Sequence, residues 1–179
     1  HIDWGSPEWP GTPLCHHDLV EAAAQKRCTK SLRRLIRHGF RLRKSSEMVQ
    51  RLLIQASGSD DDVLCELLVS IGADVNGFDE QGSSALAAAS VQGHMKVCEL
   101  LINLKADIHC CGPPKRLTPA HVAAATGRCM VAHLLNEAGM DWTREDSSGR
   151  VPLKLAQING KEKVASLIEK FMDSTSGNM

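Results

Sequence analysis

Gly93-His94-Met95-Lys96-Val97-Cys98-Glu99-Leu100-Leu101-Ile102-Asn103-Leu104-Lys105-Ala106-Asp107 aligns without a gap with Gly127-Arg128-Cys129-Met130-Val131-Ala132-His133-Leu134-Leu135-Asn136-Glu137-Ala138-Gly139-Met140-Asp141. A third copy ends in Leu67-Leu68-Val69-Ser70-Ile71-Gly72-Ala73-Asp74-Val75-Asn76, and a weaker one in Leu35-Ile36-Arg37-His38-Gly39. The positions that precede the first helix of each copy are Asp18, Arg51, Ser84, Thr118 and Val151, so the separations are 33, 33, 34 and 33. A period of this length means one supersecondary unit per repeat. Such a unit cannot bury its apolar face alone and must stack on its neighbours.

The residues within each unit have physical roles that fit short helices. Thr118 can accept from an orphan N–H at a helix start, and Pro119 at the first helical position loses nothing by lacking a donor. Ala88-Ala89 and Ala123-Ala124 are small where helices must approach closely. Gly39, Gly72 and Gly139 fall just past the second helix, where a left-handed residue is wanted; Lys105 takes that place in the middle unit at a cost of about 1 kcal/mol. Asp79-Glu80-Gln81-Gly82 and Asp146-Ser147-Ser148-Gly149 supply tight turns. Arg51-Leu52-Leu53-Ile54 lacks the Thr-Pro start, which leaves the first helix of that unit the least ideal.

With Leu-Leu before Gly72-Ala73-Asp74-Val75-Asn76 in one copy and Thr118-Pro119 with His121-Val122-Ala123-Ala124 in another, the chain resembles the ankyrin-repeat family over residues 17–172. The resemblance implies an all-α solenoid of stacked helix–loop–helix units with hairpin fingers. The expected organisation is a leader at 1–13 and a repeat domain at 14–172. Its repeats fall at about 17–44, 45–78, 79–111, 112–145 and 146–172, and a disordered tail follows at 173–179. The leader, rich in Pro and Gly, reads either as translated cloning sites or as a native disordered segment.

Composition agrees. Hydrophobic residues make up 42% and aromatics only 3%, with no tyrosine, a palette of Leu, Ala, Val and Ile that suits packed short helices better than a β-sandwich. The formal net charge is zero, which gives no global pull toward nucleic acid or anionic membrane. Seven cysteines, an odd count without framework spacing, read as reduced thiols of a cytoplasmic or nuclear protein. No run is long and apolar enough for a membrane helix.

Catalysis has little support. There is no Gly-rich phosphate loop after a strand pattern, no Gly-x-Ser-x-Gly and no His-Glu-x-x-His. His121 matches the histidine that in this family ties neighbouring repeats together. Cys65 and Cys98 share a repeat position, as small buried hydrophobes would. Cys129 and His133 share a helix face, but two ligands do not make a zinc site. Cys110, Cys111 and His109, taken with Cys15, His16 and His17, are a weak alternative for metal. No catalytic residue, metal or cofactor is expected.

The resemblance implies a non-catalytic module that binds a protein or peptide along its concave face, as the recognition part of an adaptor or scaffold and as a monomeric domain. Carried onto this chain, that face comprises Phe78, Glu80, Gln81, Ser83, Val91, Gln92, Lys115, Leu117, Ala125, Thr126, Glu145, Ser147 and Arg150. Charge reversal at Lys115 and Arg150 is expected to weaken association and leave stability nearly unchanged. Trp142 reads either as packed structure or as a partner contact. Two alternatives stay open. One is a regulatory domain of a larger enzyme or channel. The other is a phosphate or nucleic-acid surface on the run Lys26, Arg27, Lys30, Arg33, Arg34, Arg37, Arg41, Arg43 and Lys44, although nucleic acid is the less expected partner because no aromatic other than Phe40 is interleaved. Finally, Leu68 stands eight residues before Asn76. This resembles the pattern favoured by the oxygen-dependent asparaginyl hydroxylase of hypoxia signalling and makes Asn76 a candidate modification site.

Overall fold

The computed structural model describes residues 47–176, together with Lys26, Lys30, Ser31, Arg33, Arg34 and His38. The leader, most of the first expected repeat with Asp18 and Gly39, and Cys15, His16 and His17 lie outside the described residues. So do Arg27, Arg37, Arg41, Arg43 and Lys44, five of the nine residues of the expected basic surface.

Eight helices follow one another among the described residues: α1 (Glu47–Ser57), α2 (Asp62–Ser70), α3 (Ala85–Gln92), α4 (Met95–Asn103), α5 (Pro119–Thr126), α6 (Cys129–Glu137), α7 (Pro152–Ile158) and α8 (Glu162–Ser176). Each pair packs within itself, and each helix packs on its counterpart in the next pair. The inner row runs α1, α3, α5, α7, and the outer row α2, α4, α6, α8. The result is the expected all-α stack.

Helices this short are marginal alone, so the sequence must supply caps and a core. Ser84 Oγ accepts from Ala87 N at 3.2 Å. Thr118 caps α5 with Pro119 in its first turn. Asp61 Oδ1 accepts from Leu64 N at 3.0 Å to start α2. Between paired helices the chain turns through left-handed residues, Gly93, Gly127 and Gly160, with Asp60 in the same place at φ 58°.

The repeat period reappears as columns of buried side chains. Leu68, Leu101, Leu135 and Ile168 occupy one register, all fully buried. Leu64, Val97, Val131 and Val164 form a second, and Cys65, Cys98, Ala132 and Ala165 a third. Burial of one such leucine is worth about 2 kcal/mol of transfer free energy.

Two features differ from the sequence reading, and a third decides between alternatives it left open. Arg51 lies inside α1 rather than ahead of it, because the apolar spacing Val49, Leu52, Leu53, Ala56 carries helix back to Glu47 and no cap or proline interrupts it. The helix α8 continues to Ser176, so residues 173–176 are helical rather than tail. Trp142 is packed structure: it is 4% exposed, its Nε1 donates to Asn136 Oδ1 at 3.1 Å, and its ring centroid lies 5.6 Å from that of Phe171.

Candidate protein-interaction surface

The fingers are built by their aspartates. Asp79 Oδ1 accepts from Gln81 N at 2.9 Å and Ser83 N at 2.8 Å. Asp146 Oδ1 does the same for Ser148 N at 2.7 Å and Arg150 N at 3.0 Å. The finger between them, at 112–117, has no such aspartate. Its turn closes through Arg116 N donating to Gly112 O at 3.0 Å, with Arg116 at φ 50°.

Neighbouring fingers touch through backbone. A Cβ added to Gly82, which sits at φ +74°, would lie 1.8 Å from Pro113 O, so only glycine allows this approach. Further along, Lys115 O accepts from Ser147 N at 3.1 Å. The fingers are therefore locked edge to edge rather than free to wave.

That contact leaves a groove of about 420 Å³ between the finger at 79–83 and the finger at 112–117. Its walls carry Glu80, Gln81, Ser83, Lys115 and Leu117, and its floor is Ala87, Ala88, Val91 and Val122 from α3 and α5. Six residues expected from the sequence meet here: Glu80, Gln81, Ser83, Val91, Lys115 and Leu117. The remaining expected residues do not line it. Phe78 is half-buried, pairs with Ser84 in an antiparallel bridge, and sets its ring against Gly112 of the next finger. Gln92 is exposed at the end of α3. Ala125 and Thr126 are half-buried on α5, where Thr126 Oγ1 donates to Val122 O at 2.8 Å. Glu145 and Ser147 are exposed on the last finger. Ala87, Ala88 and Val122 were not expected. A second cleft of similar volume adjoins Glu80 on its other side, lined by Arg51, Ile54 and Gln55.

Arg150 is committed to the fold, which runs against the expectation that reversing its charge leaves stability nearly unchanged. Its guanidinium lies 2.8 Å from Asp146, whose side chain is fully buried. Burial pushes the Asp146 carboxyl up, but the side-chain and backbone hydrogen bonds from Arg150 and that from Ser148 outweigh it and hold the group below the usual aspartate value. Reversing the charge at Arg150 would set a second carboxylate against a buried one.

His121 is the tie the resemblance implied. It is fully buried; Thr118 N donates to its Nδ1 at 3.3 Å, so Nε2 carries the proton and donates to Arg150 O at 2.9 Å in the next repeat. Burial lowers its pKa, opposed by the Arg150 carbonyl and Asp146. These contacts account for every polar atom of the ring.

Two of the described thiols are quiet. Cys65 and Cys98 are fully buried in the outer helices, and burial pushes Cys98 up to about 11. Cys110 reaches about 11 through burial and then Asp107, with its Sγ 3.6 Å from Asn76 O. At neutral pH both are thiols rather than nucleophilic thiolates. Asn76 spans two repeats: its Oδ1 accepts from Asp107 N at 2.7 Å.

Among the described residues no helix is long and apolar enough to cross a membrane. Residues 19–111 match the family model described as "Ankyrin repeats (3 copies)". The chain is 33% identical over 101 residues to human cyclin-dependent kinase 4 inhibitor B, covering 56% of this chain and 72% of that protein. It is 33% identical over 109 residues to the mouse inactive serine/threonine-protein kinase TEX14, covering 60% of this chain and 7% of that protein. It is 35% identical over 88 residues to mouse ARF GTPase-activating protein GIT2, covering 49% of this chain and 12% of that protein. The chain thus spans only a small part of two of these relatives and most of the third. Period, buried columns, capped helices, fingers and matched model agree that this chain belongs to the ankyrin-repeat family.

Proposed function

We propose that this chain is a non-catalytic interaction module that holds a partner protein or peptide on the face formed by its inner helices and fingers. The ankyrin repeat is generally a non-catalytic protein-interaction fold. The observation that carries the reading is the groove between the fingers at 79–83 and 112–117, where an apolar floor is rimmed by polar side chains on a backbone already locked in place. An interface of that anatomy costs little reorganisation on binding. Cytoplasm or nucleus is the compartment that the thiols imply, and a monomer is the working state.

The test is capture of partners from a cell lysate, with bound proteins compared by mass spectrometry. Val91→Arg and Leu117→Asp, which block the groove, should lose the captured set. Lys96→Glu and Lys163→Glu, on the outer helices, should retain it. Loss with the outer variants and retention with the groove variants would refute the face assignment.

A second reading has its own support. Two of the relatives above are proteins of which this chain covers 7% and 12%, so the module is proposed to serve as the recognition or regulatory part of a larger chain. The candidate modification at Asn76 is carried forward as a proposal as well. Its amide bridges to Asp107, so a hydroxylase would reach it only after the two hairpins part. Mass spectrometry of the peptide containing Asn76, after incubation with the enzyme, oxygen and 2-oxoglutarate, reads the added oxygen directly.

A further inference from the structure

The groove has charge on both walls, and the two walls are not equivalent. Glu80 on one finger faces Arg51 at 3.7 Å, an exposed pair that leaves it partly compensated. Lys115 on the other finger is exposed and lines the groove, and no carboxylate among the described residues is in ion-pair reach of it. Its own backbone is fixed by the bond from Ser147 N, so the ammonium projects from a stationary point. Between the walls, Ala88, Val91 and Val122 leave a shallow apolar floor made of small side chains.

We propose that the occupant of this groove is an extended peptide segment that sets an aspartate or glutamate against Lys115 and a neighbouring small apolar side chain on Ala88, Val91 and Val122. This rests on the interaction-module reading and adds the chemistry of the ligand. The charge assignment follows from complementarity. An acidic side chain gains the uncompensated Lys115 and is repelled from the Glu80 wall, so it has one place to go and the peptide one register. The ligand charge is a carboxylate rather than a phosphate, because a phosphate site wants several donors in fork geometry. The groove lining offers a single lysine, and Arg116 stands outside it. The small floor residues set the size of the apolar neighbour: Ala, Val or Pro fits where a large aromatic would stand proud of the walls.

An array of random synthetic peptides, probed with the full chain, tests this. Bound peptides should be enriched in Asp or Glu adjacent to a small apolar residue. For one such peptide, Lys115→Glu should weaken binding about five- to tenfold, by loss of one attraction and gain of one repulsion. On the array the same variant should shift the preference toward Lys or Arg. Raised salt should weaken the wild-type interaction and not that of a peptide lacking the acid. Bound peptides that are basic or wholly apolar, or an acidic preference that Lys115→Glu leaves intact, overturn the proposal. If those same peptides are still lost with Val91→Arg and Leu117→Asp, the groove stands and only its charge reading fails. Peptides that bind regardless of both groove variants, or an array on which nothing binds, overturn the groove reading as well. A dimer in sedimentation velocity that Leu117→Asp abolishes would assign the groove to a second copy of the chain and also end the proposal. Val91→Arg, at an exposed position, keeps the test valid if Leu117→Asp fails to fold.

Discussion

Lys115 and Arg150 carry the same charge in adjacent fingers and answer to different physics. Lys115 extends into solvent, so Lys115→Glu should change the stability measured by urea unfolding by less than about 0.5 kcal/mol. Arg150→Ala strips a partner from the buried Asp146 carboxylate. Because the guanidinium is 43% exposed and water can partly replace it, the expected loss is about 1–2 kcal/mol rather than the full cost of orphaning a deep ion pair. Equal effects of the two substitutions would show that Asp146 is solvated in practice. Sequence alone made the two look alike, because a finger position says which loop a residue is on and nothing about what lies beneath it. Lys105 was the opposite case. Its place just past a second helix, where other copies have Gly72 and Gly139, marked it as strained, and it sits at φ 69°. Lys105→Gly should raise unfolding free energy by about 0.5–1 kcal/mol, and a loss would mean that the lysine stem packs in a way that repays its backbone.

At the scale of the element, the period located what local chemistry enforces. Ser84 and Thr118 sit at helix starts because a hydroxyl there satisfies an orphan N–H. Arg51 was carried to the same place by arithmetic alone, with no cap of its own, and α1 simply ran on to Glu47. The groove was legible in part for a similar reason. Finger residues such as Glu80 and Lys115 stand out in any turn, whereas Ala87, Ala88 and Val122 become floor only through the spacing of α3 and α5, which no single helix encodes. Finger spacing in turn depends on Gly82 meeting Pro113. Gly82→Ala faces both a positive φ and a backbone clash, so it should lower stability by more than about 1 kcal/mol and widen the groove. Binding of a groove ligand should fall with it. Leu101→Ala, in a fully buried column, should cost about 3 kcal/mol while leaving the fingers in place. Chemical denaturation separates the two, since only the first should impair binding in the fraction that remains folded.

In the whole molecule, stability is a chain of nearest-neighbour contacts, so a local event at one interface loosens the units beyond it first. The junction of α5 and α7 is held by His121 Nε2 on Arg150 O. Burial keeps that imidazole below its ordinary value of 6.5, so in the window just under that value the unfolded chain binds a proton that the folded chain refuses. The contribution of His121 is full above about pH 6.5 and declines as pH falls from there through the lower folded value. Asp146 adds its own loss only at more acidic pH, below the ordinary aspartate range, because its carboxyl is held low. Mild acidification should therefore release the last unit before the others. Hydrogen exchange, corrected for intrinsic rates and compared at about pH 5 and about pH 7.5, should show α7 and α8 gaining exchange ahead of α3 and α4. In His121→Gln, whose side chain is neutral throughout and keeps a donor, that difference should vanish. A uniform gain across all helices, or a C-terminal gain that persists in His121→Gln, would show that the last unit frays simply because it is the end of the stack, with the histidine playing no part.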